Sequence, residues 1–395
     1  MRVVMTAAHG GYDSDRVPLG GGAAVCERLR ALWPEAVLIG SGPGADIRAG
    51  GLNERVPSEL NEFEYARFSR RFEHEATQAI LKIPGAVVLS HDISEGPSFG
   101  LLARSGVDCL AILHVDVADY FQRFYLGDVL PASCWTWLHR KSRMWLKWPD
   151  LLQLVFEKQH QAAAHCRYLV VPSARMQGIL HEEYPFMPGG RVRVVPWGAP
   201  SLALDRAEVE ACKARFREQW GPGPYVLTLS RISPEKSQDV LLRGDFGDAC
   251  VVIAGAPSYM MGQRFMGKLR RLSQGKRVIF PGHLGGAEKR AALELADVFV
   301  VCSRHESYGL TILEAMAAGC PIVGVRSYGV EATVEEAWGR IVEADLVWPA
   351  VRQLLSDHDL RARLGAAASA HAAECGFGTA AKELWRLCEG GGRRL

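Results

Sequence analysis

The sequence predicts an α/β fold with two parallel sheets, and three observations lead to this prediction. The chain has 395 residues, 48% of them hydrophobic and 23% charged, which is typical of a globular protein with more than one domain. Short apolar, β-rich runs alternate with helical stretches, as they do in parallel sheets with crossover helices. These runs fall into two series that are separated by a polar helical stretch, so we expect one sheet from each series.

Each series predicts the strands of one Rossmann-like sheet. The first series comprises residues 3–7, 36–39, 86–89, 109–113, 168–171 and 192–195. The second series comprises residues 225–229, 251–254, 278–280, 298–302 and 322–325.

The polar stretch 205–220 separates the two series and ends in the breaker run Gly-Pro-Gly-Pro. We therefore predict an N-terminal domain at 1–200, a linker at 201–223 and a C-terminal domain at 224–376. The active site is expected in the cleft between the domains.

Composition excludes several classes of function. Lys and Arg number 46 against 44 Asp and Glu, which gives a net charge of +2, so neither nucleic acid nor another polyanion is expected as a partner. The ten cysteines are scattered, without a C-x-x-C pair or histidines at zinc spacing, so we expect reduced thiols and no metal site. The apolar part of the N-terminus is too short for a signal peptide and no apolar run is long enough to cross a bilayer, so a cytoplasmic protein is expected.

The stretch 296–321, ADVFVVCSRHESYGLTILEAMAAGCP, carries the strongest functional signal. A buried strand pattern at 298–302 breaks into a polar turn, and a helix is predicted to begin near Ser307. Glu306 then lies just ahead of the helix and Glu314 lies on it, eight residues later. That spacing is about 12 Å along a helix axis, which matches the reach of a sugar diphosphate nucleoside.

Backbone groups between the two glutamates suit an anion. The N–H groups of Tyr308, Gly309 and Leu310 lie at the predicted helix start, and glycine allows a close approach to the backbone. An isolated glutamate pair on a helix is more often a pair of solvated surface charges. A strand-to-helix switch is where open α/β sheets bind their ligands, however, and this position favours a nucleotide-sugar site without a metal.

Two cations follow the first strand of the second series. Arg231 comes directly after the strand end, and Lys236 follows five residues later. Fixed positive charges at this edge would neutralise a departing diphosphate. The alternative is that both are surface charges in a loop.

Glycines, histidines and an aspartate follow three strands of the first series. Gly21 and Gly22 lead into an amphipathic helix, and a glycine turn of this kind lets a ligand approach the backbone, although a glycine cluster is often only a flexible loop. His91 and Asp92 follow the run 86–89, and His114 follows the run 109–113. A single histidine is more often structural than catalytic.

Four tryptophans alternate with four cations in residues 134–148. Three interpretations remain open: core packing of a helical insert, aromatic platforms for a sugar acceptor, and contact with a membrane surface.

The stretch 296–321 resembles the E-x7-E signature of family four retaining glycosyltransferases, which have the GT-B fold of two Rossmann-like domains facing across a cleft. The resemblance implies that Glu306 contacts the donor sugar and Glu314 the ribose. It implies that Arg231 and Lys236 hold the diphosphate, although Ser237 stands where the family commonly has glycine.

The resemblance extends to the N-terminal half in pattern only. It implies that the glycine-rich loop with Gly21 and Gly22 faces the diphosphate, that His114 contacts the donor sugar, and that His91 and Asp92 border the acceptor. The closing stretch 377–395 is similar to the family's last helix, which crosses back to the N-terminal domain.

Together, these features predict a retaining, metal-independent hexosyltransferase without a cofactor, in which a nucleoside-diphosphate sugar is the donor and the acceptor is a small molecule, a glycan or a lipid-linked hydroxyl. The residues expected to act in catalysis are His114, Glu306, Arg231 and Lys236. The donor-binding set is Gly21, Gly22, Arg231, Lys236, Glu306, Tyr308, Gly309, Leu310 and Glu314. A same-fold glycosyl phosphorylase and a non-catalytic nucleotide-sugar-binding protein are the alternatives.

Overall fold

The computed structural model describes residues 1–52, 55–127, 129–149, 152–199, 204–258 and 261–390. The chain forms two compact units, one of Met1–Pro196 with Ala380–Leu395 and one of Trp197–Thr379. Residue 200 of the predicted domain 1–200 and residues 201–203 of the predicted linker lie outside the described part. The remaining linker residues, 204–223, fall within the second unit.

The first unit is a seven-stranded parallel sheet. Its strands are β1 (Arg2–Ala7), β2 (Val37–Gly40), β3 (Ile47–Arg48), β4 (Ala86–Ser90), β5 (Asp108–Ile112), β6 (Tyr168–Val171) and β7 (Val192–Val194), in the order β3-β2-β1-β4-β5-β6-β7. Its helices are α1 (Gly21–Leu32), α2 (Glu62–Leu81), α3 (Phe99–Arg104), α4 (Val117–Tyr125), α5 (Ala132–Ser142), α6 (Lys158–His165) and α7 (Ala174–Glu183).

The second unit is a six-stranded parallel sheet. Its strands are β8 (Tyr225–Leu229), β9 (Cys250–Ala254), β10 (Val278–Gly282), β11 (Val298–Val301), β12 (Ile322–Val325) and β13 (Gly339–Val342), in the order β10-β9-β8-β11-β12-β13. Its helices are α8 (Arg206–Trp220), α9 (Asp239–Arg243), α10 (Gly262–Leu272), α11 (Gly286–Leu295), α12 (Leu310–Ala317), α13 (Tyr328–Glu331), α14 (Val347–Ser356) and α15 (His358–Glu374).

The last helix, α16 (Phe377–Glu389), begins in the second unit and continues into the first. Its far end is fixed there by polar and aromatic contacts. Arg167 donates a hydrogen bond of 2.5 Å to the carbonyl of Leu387, and Trp385 packs edge-on against Trp33 with 5.2 Å between the ring centres.

The prediction of an α/β fold with two parallel sheets is confirmed, and its physical basis is burial on both sheet faces. All five residues of β4 and all five of β9 are buried, as expected where helices cover both sides of a parallel sheet. Two short edge strands, β3 and β13, were not predicted. Edge strands bury less apolar surface, so their sequences lack the continuous apolar run that marks the central strands.

Candidate functional site

Both sheets have a topological switch point. From β8 the chain builds β9 and β10 to one side, and then returns to place β11 on the other side of β8. In the first unit it likewise builds β2 and β3 to one side of β1 before placing β4 on the other. Ligands of open α/β sheets bind outside the carboxyl ends of the strands at such points, because the loops there diverge.

Glu306 and Lys236 form an ion pair at the switch point of the second sheet. Lys236 ends a single 3₁₀ turn, Pro234–Lys236, that follows β8, and its Nζ donates to Oε2 of Glu306 at 2.7 Å. The hydroxyl of Ser303 donates to the same oxygen at 3.2 Å. Burial raises the pKa of Glu306, but the charge and hydrogen bond of Lys236 outweigh it, so its pKa lies below the usual value. Glu306 is therefore an ionised, partly buried acceptor.

Backbone and side-chain hydrogen bonds hold the two loops that carry this pair. The N–H of Arg304 donates to the carbonyl of Glu235 at 2.9 Å, which joins the loop after β11 to the loop after β8. The amide of Gln238 is buried and donates to the carbonyl of Arg231 and the hydroxyl of Ser230, each at 2.8 Å. These loops are thus fixed before any ligand arrives.

Close packing of a glycine fixes the backbone of Glu306 from a third strand end. Gly329 lies in α13, which follows β12, and a Cβ atom built there would collide with the carbonyl oxygen of Glu306. The adjacent Tyr328 hydroxyl lies 3.1 Å from Nε2 of the buried His305. The sequence analysis missed both Tyr328 and Gly329, although both follow a predicted strand.

Ser237, where the resembled family commonly has glycine, adopts the left-handed conformation with a φ of 49°. Glycine adopts this conformation without the steric penalty that other residues incur. The Ser237 hydroxyl donates to the carbonyl of Pro234 at 3.1 Å, which supports the turn locally. The turn that places Lys236 is therefore formed despite the substitution.

Helix α12 begins at Leu310, three residues later than predicted from the sequence. The reason is Gly309, which has a φ of 73° and therefore lies outside the helical region, while its carbonyl accepts the first helical hydrogen bond from Ile312 at 2.9 Å. Tyr308 and Gly309 precede the helix and Leu310 is its first residue. The rise per residue behind the estimate of about 12 Å between the glutamates therefore applies only from Leu310 onwards, where the chain is helical.

Glu314 lies on α12 and is paired with a residue that the sequence analysis missed. Its Oε1 accepts a hydrogen bond of 3.2 Å from Nζ of Lys289 on α11, and both side chains are largely buried. Nothing in the sequence around Lys289 distinguishes it from Arg290, the other cation of α11. Only the packing of α11 beside α12 reveals the pair.

Arg231 is the more accessible of the two predicted diphosphate ligands. Its side chain is 39% exposed, and its guanidinium lies 3.9 Å from the carboxylate of Glu235. Lys236, by contrast, is 14% exposed. The edge therefore has one buried and one accessible cation.

In the first unit, Gly22, Asp92 and His114 lie together at the switch point of the sheet. Gly22 is in the first turn of α1, and a Cβ atom built there would lie 3.0 Å from Cδ2 of His114 and 3.6 Å from Oδ1 of Asp92. Gly21 is the first residue of the same helix. The absence of a side chain at Gly22 leaves the imidazole and the carboxylate against the helix start.

His91, which is buried, and His114, which is half-buried, form an imidazole pair. Their rings stack 5.4 Å apart, and Nδ1 of His91 lies 3.2 Å from Nε2 of His114, so one nitrogen donates and the other accepts. Burial lowers the pKa of His91 well below its usual value, and His114 lowers it further. Burial also lowers the pKa of His114 to about 4, although Asp92 acts in the opposite direction. Both rings are neutral at neutral pH.

A polar chain that the sequence analysis missed extends from Asp92. The backbone N–H of His9 donates to Oδ2 of Asp92 at 3.2 Å, and the ring of His9 lies 3.1 Å from the hydroxyl of Tyr65. That hydroxyl donates to Glu95 at 2.8 Å. His9 follows β1, so the signal that identified His91 and His114 also applied to it.

The tryptophans of residues 134–148 divide into two groups. Trp148 is buried and Trp135 partly buried, both in a small core with Phe156. Trp137 and Trp145 are 54% and 76% exposed. Core packing therefore accounts for two of the four.

Within the described residues, no helix is both long enough and apolar enough to cross a membrane.

The match to a known protein family falls within the second unit. Residues 213–371 match the family model of glycosyl transferases group 1, and this segment includes Arg231, Lys236, Glu306 and Glu314. A GDP-mannose-dependent alpha-(1-6)-phosphatidylinositol monomannoside mannosyltransferase of Mycobacterium tuberculosis is 32% identical over 207 residues, which is 46% of this chain and 51% of the relative. A D-inositol 3-phosphate glycosyltransferase of Salinispora tropica is 29% identical over 248 residues, 57% of this chain and 51% of the relative. The chain thus spans about half the length of the curated relatives it matches.

Solved structures show the fold over nearly the whole chain. Anabaena Alr3699/HepE in complex with UDP and glucose aligns with a TM-score of 0.70 at 15% identity, covering 98% of this chain and 99% of the other. Sucrose-phosphate synthase of Thermosynechococcus elongatus aligns with a TM-score of 0.70 at 17% identity and 98% coverage of both chains. The fold is of the GT-B type, and residues 213–371 are similar to the glycosyl transferases group 1 family.

Proposed function

We propose that this protein is a retaining glycosyltransferase that moves a hexose from a nucleoside diphosphate to an acceptor hydroxyl. The observation that carries the proposal is the Glu306–Lys236 pair. It combines an ionised carboxylate with a cation at the switch point of the sheet, within the segment that matches the group 1 family. In a nucleotide-sugar donor, the sugar would present its hydroxyl groups to the carboxylate of Glu306. The neighbouring diphosphate would present its negative charge to Lys236.

The diphosphate is assigned to Lys236, Arg231 and the start of α12. Lys236 donates one hydrogen bond to Glu306, and an ammonium group has two further N–H groups for phosphate oxygens. Arg231 is accessible, and its planar guanidinium offers several N–H donors. Helix α12 begins at Leu310, and the dipole of a helix favours an anion at this end. These charges stabilise the leaving group as its negative charge grows, and we propose that they do so without a metal.

Transfer is proposed to proceed on one face of the sugar. The acceptor oxygen forms a bond to the anomeric carbon while the bond from that carbon to the phosphate oxygen breaks, through an oxocarbenium-like state. The acceptor proton passes to the departing phosphate oxygen. Glu306 accepts hydrogen bonds from the hydroxyls of the transferred sugar, and Glu314, held by Lys289, accepts them from the ribose.

For the first unit we propose contacts to the sugar and acceptor. Asp92 and the neutral His91–His114 pair lie at the helix start that Gly21 and Gly22 leave open. A neutral imidazole both donates and accepts a hydrogen bond, which suits a sugar hydroxyl. Their position at the switch point of the sheet supports this assignment.

The relatives suggest which substrates to test first. Several relatives carry names with GDP-mannose as donor and a phosphatidylinositol monomannoside as acceptor, and the Anabaena structure holds UDP and glucose. We therefore propose GDP-mannose as the first donor and a lipid-linked hydroxyl as the first acceptor, with UDP-glucose as the alternative donor.

The test is a panel of nucleotide sugars scored for binding and for slow hydrolysis, with the Glu306→Gln variant as the control for each. Hydrolysis of one donor by the native protein, strongly reduced in the variant, is expected. Cleavage of a glycoside by inorganic phosphate, with release of a sugar phosphate and no binding of GDP, UDP or ADP, would instead identify a phosphorylase. Binding of a donor with no turnover in the presence of any acceptor would identify a non-catalytic binding protein.

A further inference from the structure

Helix α5 and the turn after it expose a concentration of large apolar side chains. Fifteen large apolar residues within the described part of the chain are exposed, and five of them lie between Trp137 and Leu146, on α5 and the turn after it. Met144 is 82% exposed, Trp145 76% and Trp137 54%. Scattered exposed apolar residues need no explanation, but a cluster of this size marks a contact surface.

The exposed residues of α5 lie on a different side of the helix from its buried residues. The buried residues of α5 are Ala132, Thr136, His139 and Ser142, at the helical spacing of four or three residues. Trp137 and Lys141 are four residues apart on the other side, and Lys141 is exposed. Trp145 extends this side past the end of the helix, because its Nε1 donates to the carbonyl of Lys141 at 3.1 Å and leaves the rest of the ring in solvent.

Positive charge accompanies the apolar side chains. The sequence from Val129 to Pro149 contains two arginines, two lysines and no acidic residue. Arg143 is paired with Glu157, and Arg140 lies over the ring of Phe186. Lys141 and Lys147 are exposed, and within the described residues neither is paired with a carboxylate.

We propose that this surface, defined by Trp137, Lys141, Met144, Trp145, Leu146 and Lys147 and here called the α5 surface, docks the protein on a membrane that contains anionic lipids. Tryptophan rings have an apolar body and one N–H donor, which matches the boundary between acyl chains and headgroups. Lysines beside them are attracted to anionic headgroups. A second protein is a less suitable partner, because protein interfaces are depleted in lysine. The inference is independent of the proposed function, since binding requires no sugar transfer.

The test is flotation of the full chain with phosphatidylcholine vesicles, with and without phosphatidylglycerol. The native protein should float with the anionic vesicles, and added salt should weaken this binding. Trp137→Ser with Trp145→Ser should lower the partition coefficient at least about tenfold. Lys141→Gln with Lys147→Gln should lower it roughly 25-fold on anionic vesicles only, at about fivefold for each lysine.

Matched controls lie on surfaces outside the α5 surface. Phe63 is 80% exposed on α2, and Arg270 and Arg271 are exposed on α10, so Phe63→Ser and the pair Arg270→Gln with Arg271→Gln should leave flotation unchanged. Circular dichroism and binding of a nucleoside diphosphate report on folding of every variant. A native protein that stays with the unbound fraction would overturn the proposal, as would equal loss in the control variants. Concentration-dependent dimerisation that the tryptophan variant abolishes, without flotation, would assign the surface to a second copy of the chain.

Discussion

The switch points of the two sheets have the same backbone topology, but ion pairs lie at one and neutral imidazoles at the other. In the second unit, Glu306 is paired with Lys236 and Glu314 with Lys289, so each of these carboxylates lies against an ammonium group. In the first unit, burial keeps His91 and His114 neutral. Topology therefore determines where polar groups gather, whereas the local partners determine whether those groups stay charged.

The comparison assigns different tasks to the two edges. Balanced ion pairs suit a charged diphosphate, because a lysine that is held in place needs little reorganisation as charge develops on the leaving group. Neutral imidazoles suit uncharged hydroxyl groups. The predictions below test this contrast, beginning with the largest expected effect.

The sharpest test is the replacement of Glu306 by glutamine. We expect turnover to fall by about 1,000-fold with nearly unchanged affinity for the nucleoside diphosphate, because the carboxylate is assigned to the sugar. Glu314→Ala should mainly weaken nucleotide binding, because that carboxylate is assigned to the ribose. Calorimetric titration with the free nucleoside diphosphate, together with initial rates, separates the two effects. Equal losses of nucleotide affinity in both variants would contradict the assignment.

The cations of the same edge should act on turnover more than on binding. Arg231→Ala or Lys236→Ala is expected to raise the barrier by about 2 to 4 kcal/mol, because negative charge on the diphosphate grows as the bond breaks. Lys236→Ala also unpairs Glu306, so its effect and that of Glu306→Gln should be far from additive in a double-mutant cycle. Rates measured with and without EDTA provide the control, and a strict requirement for a divalent ion would contradict a metal-independent leaving group.

The neutral histidines of the first unit predict a pH dependence of stability. The folded-state pKa of His114 is lowered from 6.5 to about 4, so the unfolded chain binds the proton first as the pH falls. The folded state therefore loses stability between pH 6.5 and 4, by about 3 kcal/mol for this residue. Urea unfolding of the native protein and of His114→Gln at both pH values measures the difference.

An exposed histidine supplies the control for this experiment. The side chain of His358 is 81% exposed at the start of α15, so His358→Gln should leave the pH dependence as it is in the native protein. If His114→Gln has the same pH dependence as the native protein, the imidazole pair is not buried in a neutral state.

The smallest expected effect comes from Gly22. In Gly22→Val the new Cβ would lie 3.0 Å from the ring of His114, so the ring has to move, and we expect transfer to fall about tenfold, as for modest overpacking. Nucleotide binding to the second unit should be spared, because Arg231, Lys236 and Glu314 lie there. Gly178→Val on α7 is the matched control, since a Cβ there meets nothing within 4 Å. A fully active Gly22→Val variant would remove the helix start from the mechanism.

Sequence patterns predicted the central strands of both sheets because those strands are buried on both faces and need continuous apolar runs. The predicted run 168–171 has the same first and last residues as β6 (Tyr168–Val171), and the predicted run 225–229 has the same first and last residues as β8 (Tyr225–Leu229). The same patterns placed Arg231 directly after a strand and Glu306 in the turn between a strand and a helix, because a polar residue that follows a buried run marks the edge of a sheet. The roles of these residues in catalysis and donor binding stay predictions.

What only the tertiary structure decided is which groups are paired. Lys236 and Glu306 are 70 residues apart, and Lys289 and Glu314 are 25 residues apart, so no local pattern joins them. Likewise, the sequence supplied the glycine at position 309, but its left-handed conformation, and hence the start of α12, became visible only in the fold. Local sequence determines burial and periodicity, whereas ion pairs, hydrogen bonds and the resulting pKa values depend on which strands and helices become neighbours.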